Sequence, residues 1–113
     1  MTTAHQKGLW AEKRAEMFLR LKGYAILHTR FKTPVGEIDI VARTGRVLVF
    51  AEVKARGTRD AAAEAIHAKN QERVRRAAEL YLQKYPEYND FDIRFDAVIL
   101  GKDFLPQHII SAF

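Results

Sequence analysis

Residues 36–57, GEIDIVARTGRVLVFAEVKARG, decide the fold of this chain. Two runs rich in apolar and β-branched residues, about 35–43 and 46–54, flank the turn signal Thr44-Gly45, which predicts a β-hairpin. Away from the turn, charged residues interrupt these otherwise apolar strands at Glu37, Asp39, Glu52 and Lys54. Because buried charges are costly unless they are paired, the position of these four side chains is the first clue to function.

The register of the hairpin decides whether the four charges share a face. Side chains alternate along a strand, so Glu37 and Asp39 share one face of their strand, and Glu52 and Lys54 share one face of theirs. A Thr44–Val47 or Gly45-Arg46 loop places Asp39 opposite Glu52 and Glu37 opposite Lys54, whereas a Thr44-Gly45 loop places Glu37 opposite Glu52. Either even-length loop gathers all four charges, and a three-residue loop would separate them.

Two opposed carboxylates favour a bound cation. Their repulsion costs about 0.2 to 1 kcal/mol even where it is solvated, and Mg²⁺ takes oxygen ligands from one or two carboxylates. We therefore expect Asp39, Glu52 and the backbone carbonyl of Val53 to hold Mg²⁺ or Mn²⁺. Lys54 would stabilise charge on a phosphate and orient an attacking water. A surface hairpin with two cross-strand salt bridges is the alternative, which the spacing alone leaves open.

The composition narrows the classes of protein. A chain of 113 residues with 48% hydrophobic residues predicts one globular domain, residues 1–113. Cysteine is absent, which excludes disulfides, thiolate zinc sites and cysteine nucleophiles, and the four histidines show no ligand spacing. The start of the chain has neither a signal-peptide pattern nor a membrane-length apolar run, so we expect a cytoplasmic protein. The formal net charge of +5 is compatible with a nucleic-acid partner.

The remaining sequence predicts helices and strands around the hairpin. An amphipathic helix from about Thr3 to Lys22 carries a stripe of Trp10, Met17 and Leu21 and stops at Gly23. Residues 24–30 predict a strand, and FKTP a connection. A second long helix ends at Pro86, and a break near His67 is compatible with its pattern. FDIRFDAVIL and PQHIISAF predict two final strands, which gives an α/β fold with the order α-β-β-β-α-β-β.

Basic residues follow the hairpin and mark one face of the second helix. Lys69, Arg73 and Arg76 recur at i, i+4 and i+7, and Arg56 and Arg59 follow the Lys54 strand. Together they predict a surface that tracks a phosphate backbone. A solvated charged helix face is the simpler reading of such a stripe taken alone. Tyr81 and Tyr85 lie on the apolar stripe of the same helix and are predicted to be core residues.

Several motifs support a family resemblance over nearly the whole chain. They are GLWAEKRAEMFL, GEIDIV, FAEVKAR, QERVRRAAELYL after Lys69, RFDAVIL and HIISAF. In these motifs the chain resembles the YraN-like family of small bacterial proteins. That family is similar to the restriction-endonuclease-like, PD-(D/E)xK nucleases, close in pattern to archaeal Holliday junction resolvases. Ala51 stands where Val is usual, which alters core volume and not charge.

The resemblance implies a mixed sheet flanked by helices, with the active centre on the central hairpin. Asp39, Glu52 and Lys54 then match the catalytic motif, and Glu12 matches an acid of the first helix that such nucleases often place near the metal. Glu12 also fits a solvated helix residue, because it lies beside Ala15 and off the Trp10 stripe.

The function implied is Mg²⁺-dependent hydrolysis of DNA phosphodiester bonds, on branched or single-stranded DNA, by a protein that acts as a homodimer. A non-catalytic nucleic-acid-binding or adaptor module that retains the nuclease fold is the alternative, since a fold does not determine an activity. A protein–protein module without nucleic-acid contacts is a third reading. Asp96, in RFDAVIL, is a weaker candidate for the site, since it also suits a brace between strands.

Overall fold

The computed structural model describes residues 4–55, 68–101 and 106–113. These residues form the predicted order α-β-β-β-α-β-β, with an α/β architecture. The elements are α1 (Ala4–Leu21), β1 (Ala25–Thr33), β2 (Gly36–Thr44), β3 (Val47–Ala55), α2 (Ala68–Lys84), β4 (Asp92–Leu100) and β5 (Gln107–Ile109). The sheet is mixed and follows the order β1-β2-β3-β4-β5. β3 and β4 run parallel, and the other neighbouring strands are antiparallel.

The central hairpin has one of the two predicted even-length turns. Thr44 pairs with Val47, so the loop consists of Gly45 and Arg46, and the pairing continues without a shift to Ile40 opposite Ala51. Gly45 has a φ of +56°, a conformation that a residue without a Cβ adopts at little cost. The register that would bring Asp39 opposite Glu52 is therefore the one formed.

β1 is longer than the sequence predicted. The connection FKTP was expected to follow a strand that ends at residue 30, but the strand continues to Thr33, which pairs with Gly36. The hydroxyl oxygen of Thr33 accepts hydrogen bonds from the backbone N–H groups of Val35 and Gly36, at 3.2 and 3.0 Å. This side chain closes the turn locally, so Pro34 and Val35 suffice as a connection.

The two helices cover opposite faces of the sheet. Side chains alternate between the two faces along β2 and β3. Ile40 therefore packs in a core with α1, whereas Val41 and Phe50 pack in a core with α2. On the second face Tyr81 is fully buried, and its ring lies 5.6 Å from the ring of Phe50. Tyr81 is thus a core residue, as predicted, whereas Tyr85 is half-buried and packs against the same core.

The apolar face predicted for α1 is wrong. Trp10, Met17 and Leu21 are 68%, 62% and 87% exposed. The buried side of α1 consists of Ala11, Ala15 and Leu19, which recur every four residues and face the sheet. Small side chains let a helix approach a sheet closely, so the buried face of this helix is marked by alanines and not by its large apolar residues.

The end of α1 follows the sequence prediction closely. Gly23 has a φ of +93°, and the backbone N–H of Tyr24 donates to the carbonyl of Leu19 at 3.0 Å, which is a Schellman motif. None of the helices within the described ranges is both long and apolar enough to cross a membrane. The predicted break near His67 lies outside the described residues.

The C-terminal segment is attached to the sheet by Asp96. This fully buried side chain accepts hydrogen bonds from Arg94, at 2.7 and 2.9 Å, and from the backbone N–H of Ser111 at 3.0 Å, and it lies 2.7 Å from His108 Nε2. Burial would raise the pKa of Asp96, but these hydrogen bonds hold it below its ordinary value. Asp96 is therefore placed as a brace between β4 and β5, and β5 is shorter than PQHIISAF suggested.

Candidate active site

A cleft of about 350 Å³ lies where β2 and β3 approach the first part of α2 and one side of α1. It is lined by Glu37, Asp39, Glu52 and Lys54, so the even-length register does gather these four charges. The polar side chains of the cleft are Glu12, Glu37, Asp39, Glu52, Lys54, Asn70 and Arg73. The backbone of Val53 lines the same cleft.

Asp39 marks the point where the central hairpin opens. The paired positions of β2 and β3 end at Ile40 and Ala51. Beyond them the backbone N–H of Val53 donates to Asp39 Oδ2 at 2.8 Å, so a carboxylate takes the place of a strand carbonyl in the ladder. The pairing of the two strands thus ends before Asp39, and residues of both strands beyond this point line the cleft.

Burial raises the pKa of Asp39 from 3.8 to about 7. The hydrogen bond from Val53 opposes that shift, and the neighbouring carboxylates of Glu12, Glu52 and Glu37 add to it, because each disfavours a further negative charge. A carboxylate in such surroundings is stabilised by any cation that enters the cleft. Strong perturbation of a titratable group by burial and by specific neighbours is typical of functional sites.

Glu52 is buried, with 6% of its surface exposed, and its two oxygens differ in their surroundings. Oε1 accepts a hydrogen bond from the side-chain amide of Asn70 and lies 3.3 Å from Lys54 Nζ. Oε2 is buried and has no hydrogen-bond partner among the described residues. Since an unsatisfied buried acceptor costs about 1 to 3 kcal/mol, this oxygen is positioned for a ligand that the protein itself does not supply.

A second group of acids lies beside Asp39. Oxygens of Glu12, Glu37 and Asp39 lie within 4.8 Å of one another. Glu12 reaches the cleft because it follows Ala11, on the side of α1 that packs against the sheet. The structure thus brings both the predicted Glu12 and the unassigned Glu37 to the site.

The sequence reasoning missed Arg30 and Asn70. The guanidinium of Arg30 lies 3.8 Å from Glu12 and 3.7 Å from Glu37. Asn70 stands four residues before Val74, inside the apolar stripe of α2, and a polar residue at such an inward position could have been recognised as a site residue. Arg30 carried no comparable signal, because its contacts with Glu12 and Glu37 join three different elements, β1, α1 and β2.

The predicted phosphate-binding residues are placed in part. Arg73 lines the cleft and also an adjoining groove of about 330 Å³, which it shares with Val35, Glu72 and Arg76. Arg76 is exposed and forms an ion pair with Glu72 at 2.8 Å. Arg56, Arg59 and the side chain of Lys69 lie outside the described residues.

The class of protein follows from the fold and the cleft. A five-stranded mixed sheet between two helices, with an acidic cleft at its central hairpin, is consistent with the restriction-endonuclease-like fold. The chain belongs to the family described as "Uncharacterised protein family UPF0102", whose model matches residues 11–100. This membership confirms the predicted YraN-like family.

Similar proteins span nearly the same length. A "UPF0102 protein" of Nitrobacter winogradskyi is 49% identical over 110 residues, which cover 97% of this chain and 93% of the relative. Proteins of the same description from Parvibaculum lavamentivorans and Rhodopseudomonas palustris are each 49% identical, and the alignment covers 83% and 86% of their lengths. These relatives give the family and not an activity.

Proposed function

We propose that this protein is a metal-dependent nuclease that hydrolyses DNA phosphodiester bonds in branched or single-stranded DNA. The observation that carries the proposal is the cleft in which Asp39, Glu52 and Lys54 meet, with the buried Oε2 of Glu52 left without a partner among the described residues. The three side chains also match the acid, acid and lysine positions of the nuclease motif that the sequence resembles.

The side chains of the cleft fit a divalent cation. Glu52 Oε2 and the carboxylate of Asp39 are oxygen donors of the kind that Mg²⁺ and Mn²⁺ prefer, and the Val53 carbonyl is a candidate third donor. A cation bound there would supply Lewis-acid stabilisation of the phosphate and lower the pKa of a bound water. The raised pKa of Asp39 fits the same view, since a cation offsets the repulsion that contributes to it.

Lys54 and Asn70 have distinct tasks in this proposal. Lys54 lies 3.3 Å from Glu52 Oε1 and is partly exposed, so its ammonium group can reach a phosphate in the cleft and stabilise the negative charge that develops there. Asn70 donates to the same oxygen of Glu52 and so turns the other oxygen towards its ligand. Because α2 supplies Asn70, the helix sets the orientation of the buried acid.

Arg73 supports DNA as the substrate. This exposed cation lies between the acidic cleft and the adjoining groove, where a strand that enters the cleft would place its neighbouring phosphates. The proposal includes a cytoplasmic location, where bacterial DNA is found, and a homodimer, since a branched junction presents paired strands for cleavage.

Cleavage assays test the proposal. Purified protein is incubated with branched, duplex and single-stranded DNA in Mg²⁺ or Mn²⁺, together with Glu52→Gln and Lys54→Met. We expect each variant to lose on the order of 100-fold or more of the cleavage rate, because each removes a preorganised charge from the site. Asp90→Asn is the matched control, since Asp90 is an exposed carboxylate with an ion pair to Arg46. This variant should cleave DNA at the rate of the wild type.

Two outcomes would contradict the proposal. Absence of cleavage on every substrate, with either metal, would reject a nuclease. DNA binding that weakens with salt but is unaffected by a chelator would then favour the non-catalytic binding module. Equal cleavage by wild type and Glu52→Gln would show that the activity comes from another site or from a contaminant.

A further inference from the structure

Arg30 has an unusual backbone conformation beside the acidic cleft. Its φ is +55°, and Ser111 is the other non-glycine residue with a positive φ in the described parts of the chain. The pairs Thr29–Ile40 and Phe31–Ile38 flank Arg30, so its register position is opposite Asp39. A side chain in this region of φ and ψ is retained only where its surroundings compensate for the strain.

The side chain of Arg30 lies beside two of the acids. Its Nε lies 3.8 Å from Glu12 Oε2 and 3.7 Å from Glu37 Oε1. Both acids belong to the group of three whose oxygens lie within 4.8 Å of one another. The guanidinium therefore supplies positive charge to Glu12 and Glu37, whereas Lys54 is paired with Glu52.

The distances from Arg30 to Glu12 and Glu37 indicate that the guanidinium neutralises their charge without forming fixed hydrogen bonds to them. Separations of 3.7 and 3.8 Å exceed those of charge-assisted hydrogen bonds, which are about 2.7 to 2.9 Å. A divalent cation bound to Glu12 and Glu37 would lie close to the guanidinium, and the two positive charges would repel. Glu12 and Glu37 thus already have a cation beside them, whereas Glu52 has a buried oxygen without a hydrogen-bond partner among the described residues.

We infer that Arg30 takes the place of a second divalent cation, so that the cleft binds one metal ion, on the Asp39–Glu52 side, rather than two. This inference rests on the proposed function in one respect, namely that a divalent cation is the ligand of the cleft. It adds the stoichiometry of that cation and the residue that limits it.

Counting bound Mn²⁺ tests the inference without any assay of activity. Isothermal titration calorimetry, checked by electron paramagnetic resonance of free Mn²⁺, is applied to wild type, Arg30→Met and Arg30→Lys. We expect Arg30→Met to bind one more equivalent of Mn²⁺ than wild type, because the resident charge is gone. Arg30→Lys keeps the charge and should bind the same number as wild type. Adding Glu37→Gln to Arg30→Met should remove the extra equivalent.

Arg30→Gly is a second variant, used in case Arg30→Met does not fold. Arg30→Gly removes the side chain and suits a φ of +55°, so it should be at least as stable as wild type and should also gain one equivalent. The inference is overturned if neither folded variant binds more Mn²⁺ than wild type, or if the extra equivalent survives Glu37→Gln. Failure of the wild type to cut DNA would reject the nuclease and leave these binding results as they stand.

Discussion

Asp39 both bonds to the backbone of the neighbouring strand and carries the perturbed carboxyl group of the cleft. Its Oδ2 accepts the Val53 N–H that a strand carbonyl would otherwise accept, and three further carboxylates surround it. The same carboxylate thus stabilises the open end of the hairpin and adds to the electrostatic cost of the cleft. Such a cost, retained at one position, is typical of sites where function competes with stability.

Replacing Asp39 by Asn should stabilise the metal-free protein in a pH-dependent way. The folded-state pKa of Asp39 is raised to about 7, so ionisation at higher pH costs folding free energy that the unfolded chain does not pay. The advantage of Asp39→Asn should be small near pH 4, grow as the pH rises towards 7, and stay constant above it, at about 1 to 4 kcal/mol. Urea denaturation in a chelator, at a series of pH values, measures it.

Asp90→Asn serves as the control for that series. Asp90 is an exposed carboxylate, so its replacement should change stability little at any pH. A difference between Asp39→Asn and wild type that is the same at pH 4 and pH 8 would contradict the prediction, because it would show that the effect is not ionisation of Asp39.

At the residue scale, the sequence indicated candidate site residues where charged residues interrupt apolar strands. Glu37, Asp39, Glu52 and Lys54 were visible because they interrupt strands, and the structure places all four in one cleft. Arg30 was not visible, since a basic residue near the end of a predicted strand is ordinary. Its relation to Glu12 joins α1 to β1, and no local pattern contains that contact.

At the scale of elements, the approach of α2 to β2 depends on Gly36. A Cβ at this position would lie 2.9 Å from the backbone oxygen of Arg73, closer than real Cβ contacts allow. The absence of a side chain therefore lets the helix backbone lie directly on the strand. That contact brings Asn70 and Arg73 to the cleft, so one glycine links packing to the site.

Gly36→Ala should move α2 away from the cleft. We expect a loss of about 1 to 3 kcal/mol in folding free energy, because the obstacle is helix backbone and cannot be relieved by a side-chain rotation. We also expect weaker Mn²⁺ binding, since the shift withdraws Asn70 from Glu52. Chemical denaturation and calorimetry measure the two effects.

Gly45→Ala separates those two effects. Gly45 has a φ of +56° and nothing within 4 Å of its missing Cβ, so alanine there strains the turn without moving the helix. It should lower stability and leave Mn²⁺ affinity unchanged. The argument about Gly36 fails if both variants weaken metal binding equally, since a general loss of stability would then explain the result.

Elements were predicted well where their signals are local and less well where packing decides. The hairpin turn and the Gly23 stop of α1 follow from backbone preferences, and both formed as expected. The extension of β1 to Thr33 came from a side chain that closes its own turn. The buried face of α1 was misjudged because Ala11 and Ala15 are small, and burial there reflects fit to the sheet more than hydrophobicity.

At the scale of the whole molecule, an acidic cleft lies within a basic protein. The formal net charge is +5, while four carboxylates line the cleft. Under the proposed function, DNA attracted by the overall charge would contact Arg73, which lines both the cleft and the adjoining groove.

Arg73→Ala should weaken DNA binding and its dependence on salt. If Arg73 contacts one phosphate, the slope of the logarithm of the association constant against the logarithm of salt concentration should fall by about one. Fluorescence anisotropy with labelled DNA, from low to moderate salt, measures that slope. Asp39→Ala should affect binding less than Arg73→Ala when a chelator is present.

Arg46→Ala is the matched control for Arg73→Ala. Arg46 is equally a surface cation, but it lies in the hairpin turn, at the opposite end of β3 from Lys54. Its loss should leave the salt slope unchanged. Equal reductions for the two variants would indicate that DNA responds to net charge alone, and the rim of the cleft would then have no special role.

The sequence by itself determined the family, the order of elements and the charged residues of the hairpin, because these depend on local preferences and on spacing along the chain. Only the tertiary structure decided which side of α1 is buried, that Asn70 orients Glu52, and that Arg30 lies between two acids. The physical reason is distance along the chain. Contacts between elements depend on side-chain size and on close backbone approach, which no repeating pattern within one element records.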